Sequence, residues 1–176
     1  DALKNGDIVL VVSTAGTWSK IVYSGTKVGY VSSKFLSAPQ SYTAISLNVP
    51  LYKQSDSRWA GVKLGSSGKT MSKIGCATTG IAMMESYKTG TAIYPNAMAK
   101  KLSYTSSGNV YWPDDYTAVT SSSGYLSGIY NKLKEGKPVL FGAKNSYGSQ
   151  HWVVITGYTG GSTLTPAGFK INDPAS

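Results

Sequence analysis

The chain has 176 residues, 41% hydrophobic and only 14% charged, a globular composition that excludes disorder and leaves room for one ordinary domain plus a small module. Lys+Arg 17 against Asp+Glu 8 gives a net charge of +9, while a single cysteine, Cys76, and a single histidine, His151, exclude an internal disulfide and structural zinc clusters. No run approaches the roughly 18 to 20 apolar residues of a membrane span, and Asp1 does not open a secretory signal, which predicts a soluble chain, cytoplasmic or already processed.

The charge favours polyanions, yet Arg58 is the only arginine and the lysines are scattered in ones and twos. Scattered lysine suits diffuse attraction to an anionic cell-wall polymer better than bidentate reading of phosphate or bases, so no nucleic-acid partner is expected. From charge alone, a solvated lysine surface with no partner is the first account, ahead of either polyanion.

In chain order, residues 8–12 read as a β-branched strand, 13–17 as a turn holding Gly16, and Trp18–Tyr23 as a second strand. Ser24-Gly25 reads as a tight connection, 27–31 as a third strand and 32–36 as a closing turn. Fewer than forty residues rarely bury enough apolar surface to stand alone. Residues 38–47 are polar and aperiodic, the signature of a linker, and divide a module over 1–37 from a domain over 48–176.

The second part starts with helices. Gly75-Cys76 opens a helix with Ile81, Met84 and Tyr87 at helical spacing and Gly90 as its stop. Pro95 predicts a short helix over 96–102, and Ser123-Gly124 to Gly136 another, with Leu126, Ile129, Tyr130 and Leu133 on one face. Strands follow over 139–141, 151–156 and 169–172. Helices before strands indicate an α+β fold.

Cys76 falls at a helix start, where unpaired N–H groups and the positive end of the helix dipole favour thiolate, the nucleophilic form. Alone, such a cysteine is more often a small buried hydrophobe. His151 opens a core strand after the polar loop 144–150, a position suited to holding an imidazole at a cleft edge as general base. Its bland alternative is a strand-end histidine bonded to its own loop. Asp173 returns to the level of His151 if 169–172 pairs antiparallel with 151–156, and then accepts from the second ring nitrogen; otherwise it forms a turn with Pro174, and Asp114-Asp115 compete for the role. Gln54 offers a side-chain amide for an oxyanion.

Two resemblances add to this reading. Asn5-Gly6, Trp18-x-Lys20-x-Val22, Gly25, Gly29-Tyr30-Val31 and Phe35-Leu36 resemble the C-terminal half of a bacterial SH3 domain, with Tyr30 where that family carries Trp and without the family's first half. No binding residue is carried over from it. Val49-Pro50-Leu51-Tyr52-Lys53-Gln54-Ser55-Asp56-x-Arg58-Trp59, Gly75-Cys76-Ala77, Gly136-Lys137-Pro138-Val139, His151-Trp152-Val153-Val154-Ile155-x-Gly157-Tyr158 and Ile171-Asn172-Asp173-Pro174 resemble the C39-like branch of papain-type cysteine peptidases. That resemblance implies a papain-like fold, with a helix carrying Cys76 on an antiparallel sheet carrying His151 and Asp173. It implies Cys76 as nucleophile, His151 as base and later acid, Asp173 as orienting acid and Gln54 as oxyanion donor. The expected reaction is peptide hydrolysis without metal or cofactor, on a protein or on peptidoglycan peptides, by a secreted or wall-associated bacterial protein. The alternatives are a wall-binding or adhesive module that does not need catalysis, a leader peptidase, and a peptidoglycan amidase or transpeptidase built on the same residues.

Overall fold

The structure, a computed structural model, describes residues 2–119, 123–144 and 148–175. Part of the expected loop before His151 (145–147) lies outside the described residues. The chain divides into two compact units, Asp1–Ser41 and Tyr42–Ser176.

The first unit is an antiparallel meander of β1 (Leu10–Ala15), β2 (Trp18–Tyr23) and β3 (Lys27–Ser32), closed by a 3-10 turn over Ser33–Phe35. β1 starts later and runs further than the sequence predicts. Thr14 and Ala15 pair with Ser19 and Trp18, which shrinks the expected five-residue turn to Gly16-Thr17, and a bulge between Val11 and Ser13 absorbs the mismatch. A hydroxyl chain supports this register: Ser19 Oγ lies 3.0 Å from Thr14 Oγ1 and 2.8 Å from Ser33 Oγ. Among the described residues of this unit only Ser19 and Ile21 are buried. Leu10, Val12, Trp18, Val28 and Tyr30 are exposed.

The second unit is α+β. Its helices are α1 (Met71–Ile74), α2 (Cys76–Thr89), α3 (Pro95–Lys101) and α4 (Tyr125–Lys134). Its strands are β4 (Ile45–Ser46), β5 (Val139–Lys144), β6 (Gln150–Tyr158) and β7 (Phe169–Asn172), all paired antiparallel to β6. Residues 42–47 are therefore not linker. Ile45 pairs with Tyr158 and Ser46 with Gly157, Leu47 N–H donates to Thr156 O at 2.8 Å, and Tyr42 exchanges backbone bonds with Gly161. So short a strand carries no periodicity, and only the neighbouring β6 makes it one.

Two apolar layers flank the sheet. On one face, Ile129, Tyr130 and Leu133 of α4 pack with Ile155 and Tyr158, joined by Tyr42, Ile45 and Leu47. This is the α4 face the sequence predicts. On the other face α2 lies against β5 and β6, Met83 packing with Val49 and Val154, and Ile81 and Ala82 with Met98 and Leu140. Here the expected stripe shifts: Met83 is fully buried while Met84 and Tyr87 are half-buried, because α2 is enclosed by sheet on one side and by Met98 of α3 on another. Gly90 ends α2 in the left-handed conformation (φ 67°), as a C-terminal glycine does. No helix among the described residues is long and apolar enough to cross a membrane.

The sheet register contains one irregularity that positions the site. β6 and β7 pair Tyr158 with Phe169 and Gly157 with Lys170, then shift so that Ile155 meets Ile171 and Val154 meets Asn172. Thr156 is the extra residue of this bulge.

The domain boundary is testable. A chain beginning at Tyr42 keeps the unfolding midpoint of the second unit, whereas one beginning at Asn48 loses the Tyr42, Ile45 and Leu47 packing and is destabilised by about 3 kcal/mol or more in urea titration. Equal midpoints for the two chains would return 42–47 to a linker role.

Candidate active site

The site is built where the start of α2 meets the start of β6. Gly75 closes α1 through its N–H to Met71 O (2.7 Å), and its own carbonyl accepts from Thr79 N–H (2.8 Å) to open α2. A side chain at Gly75 would run into the carbonyl and sulfur of Met71, a fully buried residue. Only glycine lets the two helices abut this tightly, and the abutment fixes Cys76 as the first residue of α2.

Cys76 is half-buried. The sequence predicts a thiol lowered by the helix start, but the structure places opposing effects on it. Burial pushes the thiol up; the backbone N–H groups of Trp152, Ala77 and Cys76 itself pull it down; the Asp173 charge adds to the rise, and the net direction is upward. The helix N-terminus is present, yet desolvation outweighs it. The role of the Trp152 N–H places the sulfur beside the strand residue that follows His151.

His151 and Asp173 are brought together as expected. His151 Nε2 and Asp173 Oδ1 are 2.7 Å apart, with the two side chains 32% and 26% exposed. The means differ from a simple hairpin return. Asn172 pairs with Val154, so Asp173 follows at the level of Val153, on the sheet face shared with His151, and its side chain bridges the two-residue step. Asp173 Oδ1 also accepts from Ala175 N–H at 2.8 Å, so the turn expected at Asp173-Pro174 and the contact with His151 coexist. Burial opposes ionisation of Asp173, but the Ala175 N–H, the His151 hydrogen bond and charge, and the Lys53 charge together hold its carboxyl below the usual range. Of the competing pair Asp114-Asp115, Asp115 is engaged on the surface with Lys88 at 2.7 Å.

Gln54 is only 9% exposed. Its Nε2 donates to Ser72 O at 2.8 Å, and its Oε1 is buried with no hydrogen-bond partner among the described residues. Turning the amide over would set Oε1 against the Ser72 carbonyl, so the orientation is fixed, and Nε2 carries a second hydrogen. Ser72 belongs to α1, so the amide is tied to the turn that delivers Cys76. The sequence pointed to Gln54 but not to this tether.

Sequence reasoning also missed the residues that hold the acid. Asn172 Nδ2 donates to Val49 O (2.9 Å) and Pro50 O (3.3 Å), Lys53 Nζ donates to Asp173 O (3.2 Å), and Gln54 N–H donates to Pro174 O (2.9 Å). These bonds use main-chain carbonyls, which leave no pattern in a sequence. Among the described residues no group of three or more His, Cys, Asp or Glu is placed to hold a metal ion.

Residues 46–176 match the model of the Peptidase_C39 like family, which covers most of the chain, and the chain belongs to that family. No curated protein and no solved structure matches it. The family makes the second unit a cysteine-peptidase-type domain.

The direction of the thiol shift predicts a pH profile. In a His151→Ala variant, burial and the Asp173 charge remain, so alkylation of Cys76 by iodoacetamide rises only above the ordinary thiol value of about 8.5. Adding Asp173→Asn removes one raising charge and moves the inflection down. Quenched mass-spectrometric labelling from neutral to alkaline pH measures both, and an inflection below that of a free thiol in His151→Ala contradicts the assignment.

Proposed function

We propose that the second unit hydrolyses peptide bonds through Cys76, His151, Asp173 and Gln54. The observation that carries this reading is the 2.7 Å contact between His151 Nε2 and Asp173 Oδ1, made on a strand whose next N–H reaches the Cys76 thiol. With Nε2 committed to the carboxylate, Nδ1 is the nitrogen that exchanges protons with the sulfur and the leaving group.

The substrate carbonyl binds with its oxygen between the second Gln54 amide hydrogen and the backbone N–H of Cys76. His151 takes the thiol proton as sulfur attacks carbon, and the oxyanion collapses when the C–N bond breaks and His151 returns that proton to the departing amine. Water, deprotonated by the same imidazole, adds to the thioester; the carboxylic product leaves and the proton returns to sulfur. Substrate, water and these side chains supply every atom of the cycle, so it calls for no metal or cofactor. Because burial and the Asp173 charge disfavour a lone thiolate, the proton leaves sulfur only as His151 takes it.

The protein acts at or near a bacterial cell wall in this reading, supported by the bacterial SH3 resemblance of residues 1–37 and by the +9 charge, which suits an anionic wall polymer. Its substrates are proteins or the peptides of peptidoglycan.

Incubation with casein and with purified peptidoglycan, followed by detection of new amino termini, tests the activity and separates the substrate classes. Wild type generates new termini, Cys76→Ala generates none, and Gln54→Ala lowers kcat about 10²- to 10³-fold, the loss typical of one oxyanion donor. Cleavage by Cys76→Ala at the wild-type rate would sink the reading. Wall binding without new termini in either substrate would make this a binding module.

A further inference from the structure

One lysine is joined to the candidate site without belonging to the tetrad. The backbone at Lys53 is fixed from both sides: its carbonyl accepts from the Nε1–H of Trp59, a residue 2% exposed, at 2.7 Å, and the next amide, Gln54 N–H, donates to Pro174 O at 2.9 Å. From this anchored position the half-buried side chain reaches across to the last strand, where Nζ donates to Asp173 O at 3.2 Å. Together with Asn172 Nδ2 on Val49 O and Pro50 O, the segment 49–54 grips residues 172, 173 and 174 in succession.

We propose that Lys53 is a positioning residue that fixes Asp173 against His151 and couples its placement to that of the neighbouring Gln54. The inference rests on the peptidase reading above. A carboxylate that must orient an imidazole has to be held at both ends. Asp173 Oδ1 is held by His151 Nε2 and Ala175 N–H, while its main chain leaves β7 at Asn172 and has no ladder partner of its own. Lys53 supplies that second hold. Because Lys53 and Gln54 are consecutive, the same peptide segment that sets the amide by Ser72 O also sets the acid by Pro174 O and Asp173 O.

The lysine differs from a purely mechanical tether because it carries charge. The groups acting on the Asp173 carboxylate are the Ala175 N–H, the His151 imidazole and the Lys53 ammonium, and the carboxylate charge in turn acts on the Cys76 thiol. Removing the ammonium takes away a charge that favours ionised Asp173 and loosens the main chain that aims it. Loss of the charge raises the carboxyl titration, as does loss of the His151 hydrogen bond if the carboxylate is no longer aimed at the ring.

The experiment compares wild type, Lys53→Met and Lys53→Arg. Carboxyl ¹³C NMR on aspartate-labelled protein, with the Asp173 signal assigned by its loss in Asp173→Asn, reads the acid directly and needs no activity. In parallel, kcat and KM are followed over pH on whichever substrate wild type cleaves. The Asp173 midpoint moves up in Lys53→Met and stays at the wild-type value in Lys53→Arg. The kcat of Lys53→Met falls roughly tenfold, in keeping with a sub-ångström misplacement of a catalytic group, while KM stays within about twofold. The inference is overturned if the midpoint is unchanged in Lys53→Met, if Lys53→Arg fails to restore it, or if Lys53→Met no longer folds by circular dichroism, which would make the lysine a stabilising residue. Failure of the peptidase reading looks different: wild type cleaves nothing while the Asp173 midpoint still responds to Lys53.

Discussion

A single extra residue in β6 decides which face of the sheet the acid occupies. Without the bulge at Thr156, the pairing that starts at Tyr158 and Phe169 would carry on in step and set Asn172 opposite Ile155 and Asp173 beyond it opposite Val154, on the face away from His151. With it, Asp173 falls level with Val153, on the face of His151. Directly opposed residues in an antiparallel pair share a face, so no side-chain flexibility substitutes for the shift. The bulge is held from two directions, by Leu47 N–H on Thr156 O and by Thr156 Oγ1 on Lys170 O at 3.4 Å. The His151–Asp173 contact is therefore a property of sheet register before it is one of chemistry.

Cys76 is placed by a different device, and its electrostatics show competing forces. A helix start offers the sulfur its N–H groups, and Trp152 adds another from the sheet, yet burial and the Asp173 charge outweigh them. An isolated thiolate would be strained there. The carboxylate that makes a hydrogen bond to His151 Nε2 also acts on the sulfur, where its charge disfavours unpaired negative charge. One carboxylate thus acts on both the imidazole and the thiol.

Much of this was legible in the sequence. Helix α2 was marked at both ends by glycine, α4 by its apolar face, β7 by its bounds, and the candidate site by one cysteine and one histidine with no rivals. What was not legible depends on partners far along the chain. β4 is two residues long and polar in context, and becomes a strand only against Gly157 and Tyr158. A bulge is invisible until both strands are paired. The thiol direction depends on burial contributed by several elements at once, whereas a sequence shows only the local helix start. The grips of Asn172, Lys53 and Gln54 on the opposite segment end on carbonyl oxygens, which every residue possesses, so no residue type announces them.

The second unit is stitched shut by its own extremities: 45–54 are bonded to 156–158 and 172–174. During synthesis the cysteine and its helix emerge long before the segment bearing the acid, and neither the His151–Asp173 contact nor the clasp on Gln54 has a partner until that last segment is made. Chain order therefore acts as a timing device. A nascent chain holds Cys76 and its helix without Asp173, and the candidate site is assembled only when the domain closes on itself.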